Sequence, residues 1–202
     1  ASPLLTLTTS GLYCPAGDFH IDPVRPVTRA LITHGHSDHA RPGHDAVMAT
    51  QETLEIMAIR YGEGFAGARQ TAAYGAALDI GGVTVTFHPA GHVLGSAQIA
   101  LEGLHNGERK RIVISGDYKR QRDPTCAPFE PVSCDIFITE ATFGLPVFRH
   151  PDTRHEIQRL LQSHRLFPER THLLGAYSLG KAQRMAAILR ESGYDRPIYL
   201  HG

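Results

Sequence analysis

The stretch His34-Gly35-His36-Ser37-Asp38-His39 places three imidazoles and one carboxylate within six positions, and we call it the histidine motif. The preceding run, Ala30-Leu31-Ile32-Thr33, is apolar and β-favouring, which predicts that the motif follows the end of a buried strand. Imidazole and carboxylate suit zinc, manganese or iron, and the absence of cysteine argues against a closed structural zinc site. On a looped backbone the first two histidines point the same way, whereas Asp38 and His39 turn toward a second position. The motif is therefore predicted to serve two metal ions.

The composition of the 202-residue chain is that of a folded globular protein. Hydrophobic residues make up 42% and charged residues 20%, which argues against disorder. The formal net charge is zero, so nucleic-acid binding must be argued from a site rather than from composition. Three cysteines without metal-binding spacing argue against a disulfide framework and fit a reducing cytoplasm. No apolar run approaches membrane-spanning length, so we expect a cytoplasmic protein with no membrane partner.

Three more predicted strands lead to ionisable residues. The alternating run 83–87 is followed, after a short loop, by His92. The apolar run 111–115 leads to Asp117, and the run 135–139 leads to Glu140. If these strands and the one before the histidine motif lie side by side and point the same way, their ends converge on one edge of a single sheet, where open sheets bind ligands.

Two of these residues have alternative interpretations. His88 competes with His92 as a metal ligand, although it lies within the last turn of its strand. Asp117 could be a simple turn aspartate in Ser-Gly-Asp, but its place after an apolar strand favours a carboxylate that bridges two metals. A histidine-rich polar loop is the corresponding alternative for the histidine motif, and four ligand-type residues in six positions make it improbable.

The remaining pattern predicts three helices and two late strands. Thr50 is the predicted N-cap of the first helix, and residues 152–165 read as an amphipathic helix. Ser178 is the predicted cap of a helix that continues to Glu191. Strands are predicted at 172–177 and 197–201. A strand–helix–strand that stops at its second strand predicts a domain continuing beyond Gly202.

The histidine motif, His92 and Asp117 resemble, in order and approximate spacing, the ligand motifs of the metallo-β-lactamase superfamily. Lactamases, glyoxalase-type thioesterases and nucleases all look like this, so these motifs do not specify a reaction. The stretch Thr139-Glu140-Ala141-Thr142-Phe143-Gly144 resembles the acidic motif that closes the first half of the catalytic domain in the β-CASP nucleases. The stretch Ala176-Tyr177-Ser178-Leu179-Gly180-Lys181-Ala182-Gln183 resembles the start of the inserted β-CASP domain.

The resemblance implies a fold and a domain division. The expected fold is α/β, with residues 1–146 forming the first part of a catalytic domain built as a four-layer αββα metallo-β-lactamase sandwich. Residues 147–202 are expected to begin an α/β β-CASP domain. The later β-CASP histidine motifs, one of which would complete the second metal site, do not occur in these 202 residues.

Residues 11–15 and 139–149 look closest to the bacterial exonucleases encoded beside ATP-dependent DNA ligases, which are often labelled messenger-RNA 3′-end processing factors. This resemblance implies a DNA exonuclease in repair, with single-stranded DNA as the favoured partner and an ATP-dependent DNA ligase as functional partner. Glu140 instead matches RNA-processing members, because the DNA-crosslink-repair branch usually has aspartate there. An RNA-processing endo- or exonuclease is therefore the first alternative. A small-molecule hydrolase is the second, and the 178–183 stretch argues against it.

Within that family the resemblance assigns the site residues. One divalent metal is held by His34, His36 and His92. Asp38 and His39 hold the other, and Asp117 is shared by both, with zinc preferred and manganese the alternative. The two metals together would activate a hydroxide that attacks a phosphodiester. The catalytic carboxylates are then Asp38, Asp117 and Glu140, and Glu140 is expected to orient one of the ligand histidines.

The sequence also offers two candidate contacts for substrate. Ser178 and the amides of Leu179 and Gly180 at a helix start resemble a phosphate seat, with Lys181 or Arg184 nearby. A capped surface helix with solvated charges is an equal alternative. The basic residues 119, 120 and 122, after Asp117, would either line a strand-binding groove or be solvated.

Overall fold

The computed structural model describes residues 2–201, and these belong to two compact units, Ala1–Glu140 and Ala141–Gly202. The first unit contains eleven strands and one helix among its described residues. They are β1 (Thr6–Thr8), β2 (Gly11–Cys14), β3 (Phe19–Ile21), β4 (Arg29–Leu31), β5 (His44–Ala49), α1 (Gln51–Tyr61), β6 (Ala66–Thr71), β7 (Ala77–Ile80), β8 (Val83–Pro89), β9 (Ala97–His105), β10 (Glu108–Ile114) and β11 (Ile136–Ile138). In the second unit α2 spans Thr153–Leu166 and α3 spans Lys181–Glu191.

The strands of the first unit form two sheets. The first sheet has six strands in the order β1-β2-β3-β4-β5-β6, antiparallel from β1 to β3 and parallel from β3 to β6. The second has five strands in the order β11-β10-β9-β8-β7, antiparallel except that β11 runs parallel to β10. The turn from β9 to β10 uses Asn106 and Gly107, both with positive φ, as a tight two-residue hairpin requires.

The main hydrophobic core lies between the two sheets. Phe19 and Leu31 from the first sheet pack in one cluster with Phe87, Ile99 and Leu101 from the second, and all five are buried. The alternating run in β8 forms a half-buried strand, as predicted. Val83, Val85 and Phe87 are buried, and the threonines between them are only partly covered. Burying one such side chain contributes about 1.5–3 kcal/mol. This core holds the sheets face to face.

The other face of the first sheet is covered by α1. A second cluster joins Ala30, Ile32 and Val47 of the sheet region to Leu54 and Met57 of the helix. The run 30–32 is apolar throughout because its residues alternate between these two cores. Thr50 caps α1 as predicted, accepting a hydrogen bond from the Thr53 N–H at 3.3 Å. The mixed α/β class and the two sheets are confirmed, while no helix among residues 2–140 forms a layer outside the second sheet.

Two strands of the first sheet and one strand boundary differ from the sequence prediction. The sequence analysis predicted neither β5 nor β6. β6 is mostly exposed and has no apolar alternation, so its strand state comes from backbone pairing with β5. β8 extends beyond the predicted run 83–87 to Pro89 and so includes His88.

The prediction that four strand ends lie on one edge of a single sheet is wrong. β4, which precedes the histidine motif, belongs to the first sheet. β8, β10 and β11 belong to the second sheet and run in one direction, because β9 lies antiparallel between β8 and β10. The two sheets meet where the Ala97 N–H donates to the Thr33 carbonyl at 2.7 Å. The ends therefore converge between two sheets rather than along one.

The second unit is a helix pair packed through Ile157, Ile188 and Leu189. Asp152 caps α2 by accepting a hydrogen bond from the His155 N–H at 3.0 Å. The predicted strands at 172–177 and 197–201 are wrong, because both segments lack regular structure. A strand needs a partner for its backbone groups, and no strand occurs in the described residues of this unit. No helix in residues 2–201 has the length and apolar character needed to cross a membrane.

Candidate metal centre

Three imidazoles and a carboxylate converge at the junction of the two sheets. His36 Nδ1 lies 3.1 Å from His34 Nε2 and 3.2 Å from His92 Nε2. Asp117 Oδ2 lies 3.4 Å from His92 Nε2 and 3.7 Å from His34 Nε2. Potential ligand atoms of these four residues all lie within 4.8 Å of one another. Residues 34, 36, 92 and 117 of the sequence prediction are thus brought together.

A second position adjoins the first through the same aspartate. His39 Nε2 lies 3.5 Å from Asp117 Oδ1 and 3.7 Å from Asp38 Oδ2. Asp117 therefore presents one oxygen to His34 and His92 and its other oxygen to His39. The Asp38 side chain is 75% exposed, so it approaches this position from the solvent side.

A tight turn shapes the histidine motif. The N–H groups of His39 and Ala40 both donate to the His36 carbonyl, at 3.1 and 2.7 Å. The turn brings the His39 ring to within 4.3 Å of the buried His34 ring, centroid to centroid. Residues five apart in sequence therefore face the same small volume.

The loop that carries His92 is held from two sides. Ser96 Oγ accepts hydrogen bonds from the N–H groups of His92 and Val93, at 3.1 and 3.2 Å. Gly91 has a φ of +71°, and a Cβ there would lie 2.4 Å from the Lys119 carbonyl oxygen. Only glycine fits this contact between the His92 loop and the segment after Asp117.

Lys119 belongs to the packing of that segment. Its ammonium forms an ion pair with the buried Asp123, whose carboxylate also accepts two hydrogen bonds from Thr125. The Lys119 N–H donates to the Ala90 carbonyl at 3.0 Å. Arg120 and Arg122 remain exposed. Of the three basic residues proposed for a groove, Lys119 therefore anchors the loop after Asp117 instead of pointing freely into solvent.

Asp22 is a site residue that the sequence analysis missed. Its Oδ2 lies 2.8 Å from His39 Nδ1, and because a carboxylate can only accept, the proton must be on that nitrogen. The same oxygen accepts a hydrogen bond from Thr33 Oγ at 2.6 Å, and that hydroxyl lies 3.0 Å from His34 Nδ1. Because the hydroxyl donates to Asp22, it accepts from His34. Asp22 thereby leaves the Nε2 atoms of both histidines free to bind a metal.

A signal for Asp22 was present in the sequence. It directly follows the short run Phe19–Ile21, which forms β3, as other site residues follow their strands. Its φ of +43° lies in the left-handed region, which aspartate tolerates better than most residues.

Burial and neighbouring charges set the protonation of the cluster. Burial, reinforced by the other three histidines, lowers the pKa of His34 well below its ordinary value. Burial, His36 and Lys119 lower the pKa of His92 to about 4. Burial also opposes protonation of His39, but the hydrogen bond and charge of Asp22 outweigh it and raise the pKa of His39. His34 and His92 are therefore neutral near pH 7, as metal ligands must be.

Burial also acts on the shared carboxylate, with Glu140 adding to its effect. Burial raises the pKa of Asp117, opposed by His39 and reinforced by the charge of Glu140. Glu140 also acts on His92. Its charge raises the pKa of His92, in opposition to burial, His36 and Lys119, which lower it. Glu140 is half-buried at the end of the first unit, close enough to influence both residues. Its predicted role of orienting a ligand histidine stays a prediction, and Asp22 performs that role for His39.

The donor set fits a divalent metal ion. Two ligands bound to one zinc ion at about 2.0–2.2 Å with tetrahedral angles lie about 3.3–3.6 Å apart. The contacts among residues 34, 36, 92 and 117 that are described above range from 3.1 to 3.7 Å. Nitrogen and oxygen donors without thiolate suit zinc and manganese.

The residues proposed for substrate phosphate lie in the second unit. The predicted cap is wrong: α3 begins at Lys181 with Gly180 as N-cap, at a φ of +94°. The Gly180 N–H donates to Gln183 Oε1 at 2.8 Å, and the Ser178 carbonyl accepts from Gln183 Nε2 at 2.8 Å. Lys181 Nζ lies 5.5 Å from the centre of the Tyr177 ring. The Gly180 amide is thus already engaged, and phosphate binding by these residues stays a prediction.

Two facing sheets with a histidine–aspartate cluster between their strand ends define a protein of the metallo-β-lactamase fold. No protein-family model matches the chain. A relative named Probable DNA ligase, from Opitutus terrae, is 32% identical over 95% of this chain and 18% of its own length. Endoribonuclease YSH1 of Saccharomyces cerevisiae is 34% identical over 60% of this chain and 15% of its own length. Ribonuclease TTHA0252 of Thermus thermophilus is 28% identical over 90% of this chain and 48% of its own length.

The chain also resembles solved structures. A protein of unknown function from Enterococcus faecalis V583 shares the fold at a TM-score of 0.54, with 17% identity over 80% of this chain and 44% of that one. The Rm3 metallo-β-lactamase aligns at a TM-score of 0.49, with 16% identity over 94% of this chain and 89% of that one. The chain is similar to the β-CASP nucleases of the metallo-β-lactamase superfamily, which these relatives represent. It spans less than half the length of the three curated relatives named above.

Proposed function

We propose that the protein is a metal-dependent phosphodiesterase that degrades nucleic acid from a strand end. One observation carries the proposal: Asp117 presents Oδ2 to His34 and His92 and Oδ1 to His39, at 3.4–3.7 Å. A carboxylate placed in this way can join two metal ions, and paired ions are a recurrent solution for phosphodiester hydrolysis. The names of the curated relatives favour a nucleic-acid strand over a small molecule.

Each proposed metal position has its own set of residues. We assign His34, His36 and His92 to the first ion and Asp38 and His39 to the second. Asp117 is common to both. Zinc is the expected ion and manganese the alternative, since both accept imidazole and carboxylate. When bound, such ions lower the pKa of a water molecule and stabilise charge that develops on the phosphate.

The chain's own residues prepare this site. Neutral His34 and His92 offer nitrogen lone pairs, and Asp22 keeps the proton of His39 on Nδ1, away from the metal position. Asp117 supplies negative charge between the two positions. The exposed Asp38 forms the open side, through which a phosphate can enter. Glu140 adds a further negative charge beside His92 and Asp117.

We infer single-stranded DNA as the substrate and DNA repair as the setting. The relative named Probable DNA ligase matches nearly the whole chain, which supports an exonuclease that works with an ATP-dependent DNA ligase. In this proposal residues 1–146 form the first part of the catalytic domain, and 147–202 begin the β-CASP domain with Ser178, Gly180 and Lys181 as phosphate contacts. The location is the cytoplasm.

RNA processing is the second candidate function. Glu140 has the residue type found in RNA-processing members of the family. Two of the relatives are named as ribonucleases, and one of them matches 90% of this chain. Both proposals share the same metal centre and differ only in the strand that is bound.

The deciding experiment compares two matched oligonucleotides. The full-length protein is incubated with DNA and RNA strands of one sequence, labelled at either end, with zinc or manganese added. We expect stepwise shortening of the DNA strand from one end, abolished by Asp38→Ala. Arg69→Met is the control, because Arg69 pairs with Glu63 at the surface. Preferential RNA cleavage favours the second function, and undiminished cleavage by the Asp38 variant contradicts the proposed mechanism.

A further inference from the structure

Helix α1 contacts both loops that deliver ligands to the first metal position. Its N-terminal turn contacts the loop of His92, and its last turn contacts the histidine motif. The helix has 11 residues and is therefore about 16 Å long. The two contacts thus lie at opposite ends of one rigid element.

The first contact is made through the carbonyl of Gly95, three residues after His92. Thr50 Oγ donates to this oxygen at 2.7 Å and Thr53 Oγ donates to it at 3.1 Å. Both threonines are buried. A Cβ at Gly95 would lie 2.8 Å from Glu52 Cβ and 2.9 Å from the Thr53 nitrogen, so the loop backbone rests directly on the helix. The loop therefore cannot shift without losing buried hydrogen bonds.

The second contact is made through the peptide between the first two histidines of the motif. Arg60 Nη1 donates to the Gly35 carbonyl at 2.5 Å. Ile56, one helical turn earlier, closes over the same residue, because a Cβ at Gly35 would lie 2.8 Å from Ile56 Cγ2. A charge-assisted hydrogen bond to this carbonyl restrains the peptide group between Gly35 and His36, and with it the short backbone segment from His34 to His36. Arg60 thereby restrains both imidazoles without touching either.

We propose that α1 is a positioning element of the metal centre and that Arg60 is its principal positioning residue. The helix holds Gly95 at one end and Gly35 at the other, and so sets the separation between His92 and the pair His34–His36. The inference rests on the proposed function only in assigning these three histidines to one ion. Outer partners of metal ligands of this kind affect metal affinity about 10–100-fold.

The test replaces Arg60 with side chains that keep or lose the donor. Arg60→Met retains the apolar stem without the charge, whereas Arg60→Lys restores one donor. Arg69→Met is the matched control, because Arg69 is a surface arginine of the same unit whose described contacts are with Glu63 and the Phe65 ring. Zinc affinity is measured on the full chain by competition with a chromophoric chelator. The geometry at the site is read from the visible absorption of the Co²⁺-substituted protein.

Three measured outcomes decide the proposal. We expect Arg60→Met to lower first-ion affinity about tenfold or more and to change the Co²⁺ spectrum, Arg60→Lys to recover part of the affinity, and Arg69→Met to match wild type. Thermal unfolding of the metal-free variants separates lost positioning from lost folding, since positioning changes affinity at an unchanged midpoint. Wild-type affinity and spectrum in Arg60→Met would overturn the proposal. Failure of the wild-type protein to bind either zinc or manganese would instead contradict the proposed function.

Discussion

Asp22 Oδ2 lies 2.8 Å from His39 Nδ1 and thereby fixes the proton of a histidine that is 17 residues later in the chain. The same carboxylate also acts on His34 through the hydroxyl of Thr33. One side chain at the end of β3 thus prepares one histidine from each proposed metal position. The metal centre depends on a residue that need not touch a metal.

Replacing Asp22 tests this relationship. In Asp22→Ala the His39 Nδ1–H loses its acceptor, and the Thr33 hydroxyl beside His34 loses the carboxylate to which it donates. Both imidazoles can then rotate or change tautomer. We expect affinity for the second ion to fall about 10–100-fold, with a smaller loss at the first. Zinc titration monitored by a competing chelator measures both steps. Asp18→Ala is the control, because Asp18 is bound only by Tyr13 at the surface in the described contacts. Equal affinities in the Asp22 variant and wild type would show that the carboxylate does not orient the ligands.

The shared carboxylate gives a prediction about stoichiometry. Asp117→Asn keeps the size of the side chain but loses the charge that faces both positions. We expect it to weaken the binding of both ions and to reduce cleavage by more than about 100-fold. That value is the upper end of the range for residues that only hydrogen-bond to metal ligands. Asp38→Ala should weaken the second ion alone, because Asp38 lies near His39 and outside the first cluster. Metal content after dialysis, measured by atomic emission, distinguishes the two variants. Identical metal content would contradict the assignment of Asp117 to both positions.

The metal ligands could be predicted because they come soon after runs of residues whose pattern predicts a strand. His34 and Asp117 come after apolar runs, and residues 30–33 and 112–115 of those runs are buried as expected. The sequence could not predict that the strands carrying the ligands divide between two sheets. That division depends on β9 pairing between β8 and β10 and on contacts between residues distant in sequence. Asp22 also follows a strand directly, but its role depends on His39, which is 17 residues later in the chain and lies against it only in the folded protein.

The errors in secondary structure have a similar origin. The stretch 66–71 contains no apolar alternation, and its strand conformation comes from hydrogen bonds to β5. The stretch 172–177 has the opposite property, since its sequence favours a strand while no strand pairs with it in the described part of that unit. Local pattern predicts where a strand can form, and pairing decides whether it does.

The contact between Gly35 and Ile56 predicts a compensating pair of substitutions. Gly35→Ala places a Cβ 2.8 Å from Ile56 Cγ2 and should push the histidine motif away from α1. We expect lower zinc affinity and a loss of about 1–3 kcal/mol in the free energy of unfolding. Ile56→Ala in the same chain removes the overlap and should restore much of the zinc affinity. A double-mutant cycle on zinc affinity measures this coupling, and purely additive effects would contradict it.

The pKa of His92 predicts how stability depends on pH in the metal-free protein. Its pKa is about 4 in the folded state, against an ordinary value of 6.5. Between these values the unfolded chain binds more protons, so the free energy of unfolding falls as pH decreases from about 6.5 toward 4. The contribution is on the order of 3 kcal/mol. His34, whose pKa is also lowered, acts in the same direction, whereas the raised pKa of His39 adds stability at low pH that is lost as pH rises.

Urea unfolding of the metal-free chain at a series of pH values measures the dependence of stability on pH. His92→Gln removes the titrating group while keeping a polar side chain, so its stability should vary less between pH 6.5 and 4 than that of wild type. His155→Gln is the control, because His155 is an exposed residue of α2 in the other unit. Parallel curves for wild type and the His92 variant would mean that His92 is not held neutral by burial. In that case its lone pair would not be prepared for a metal before the ion arrives.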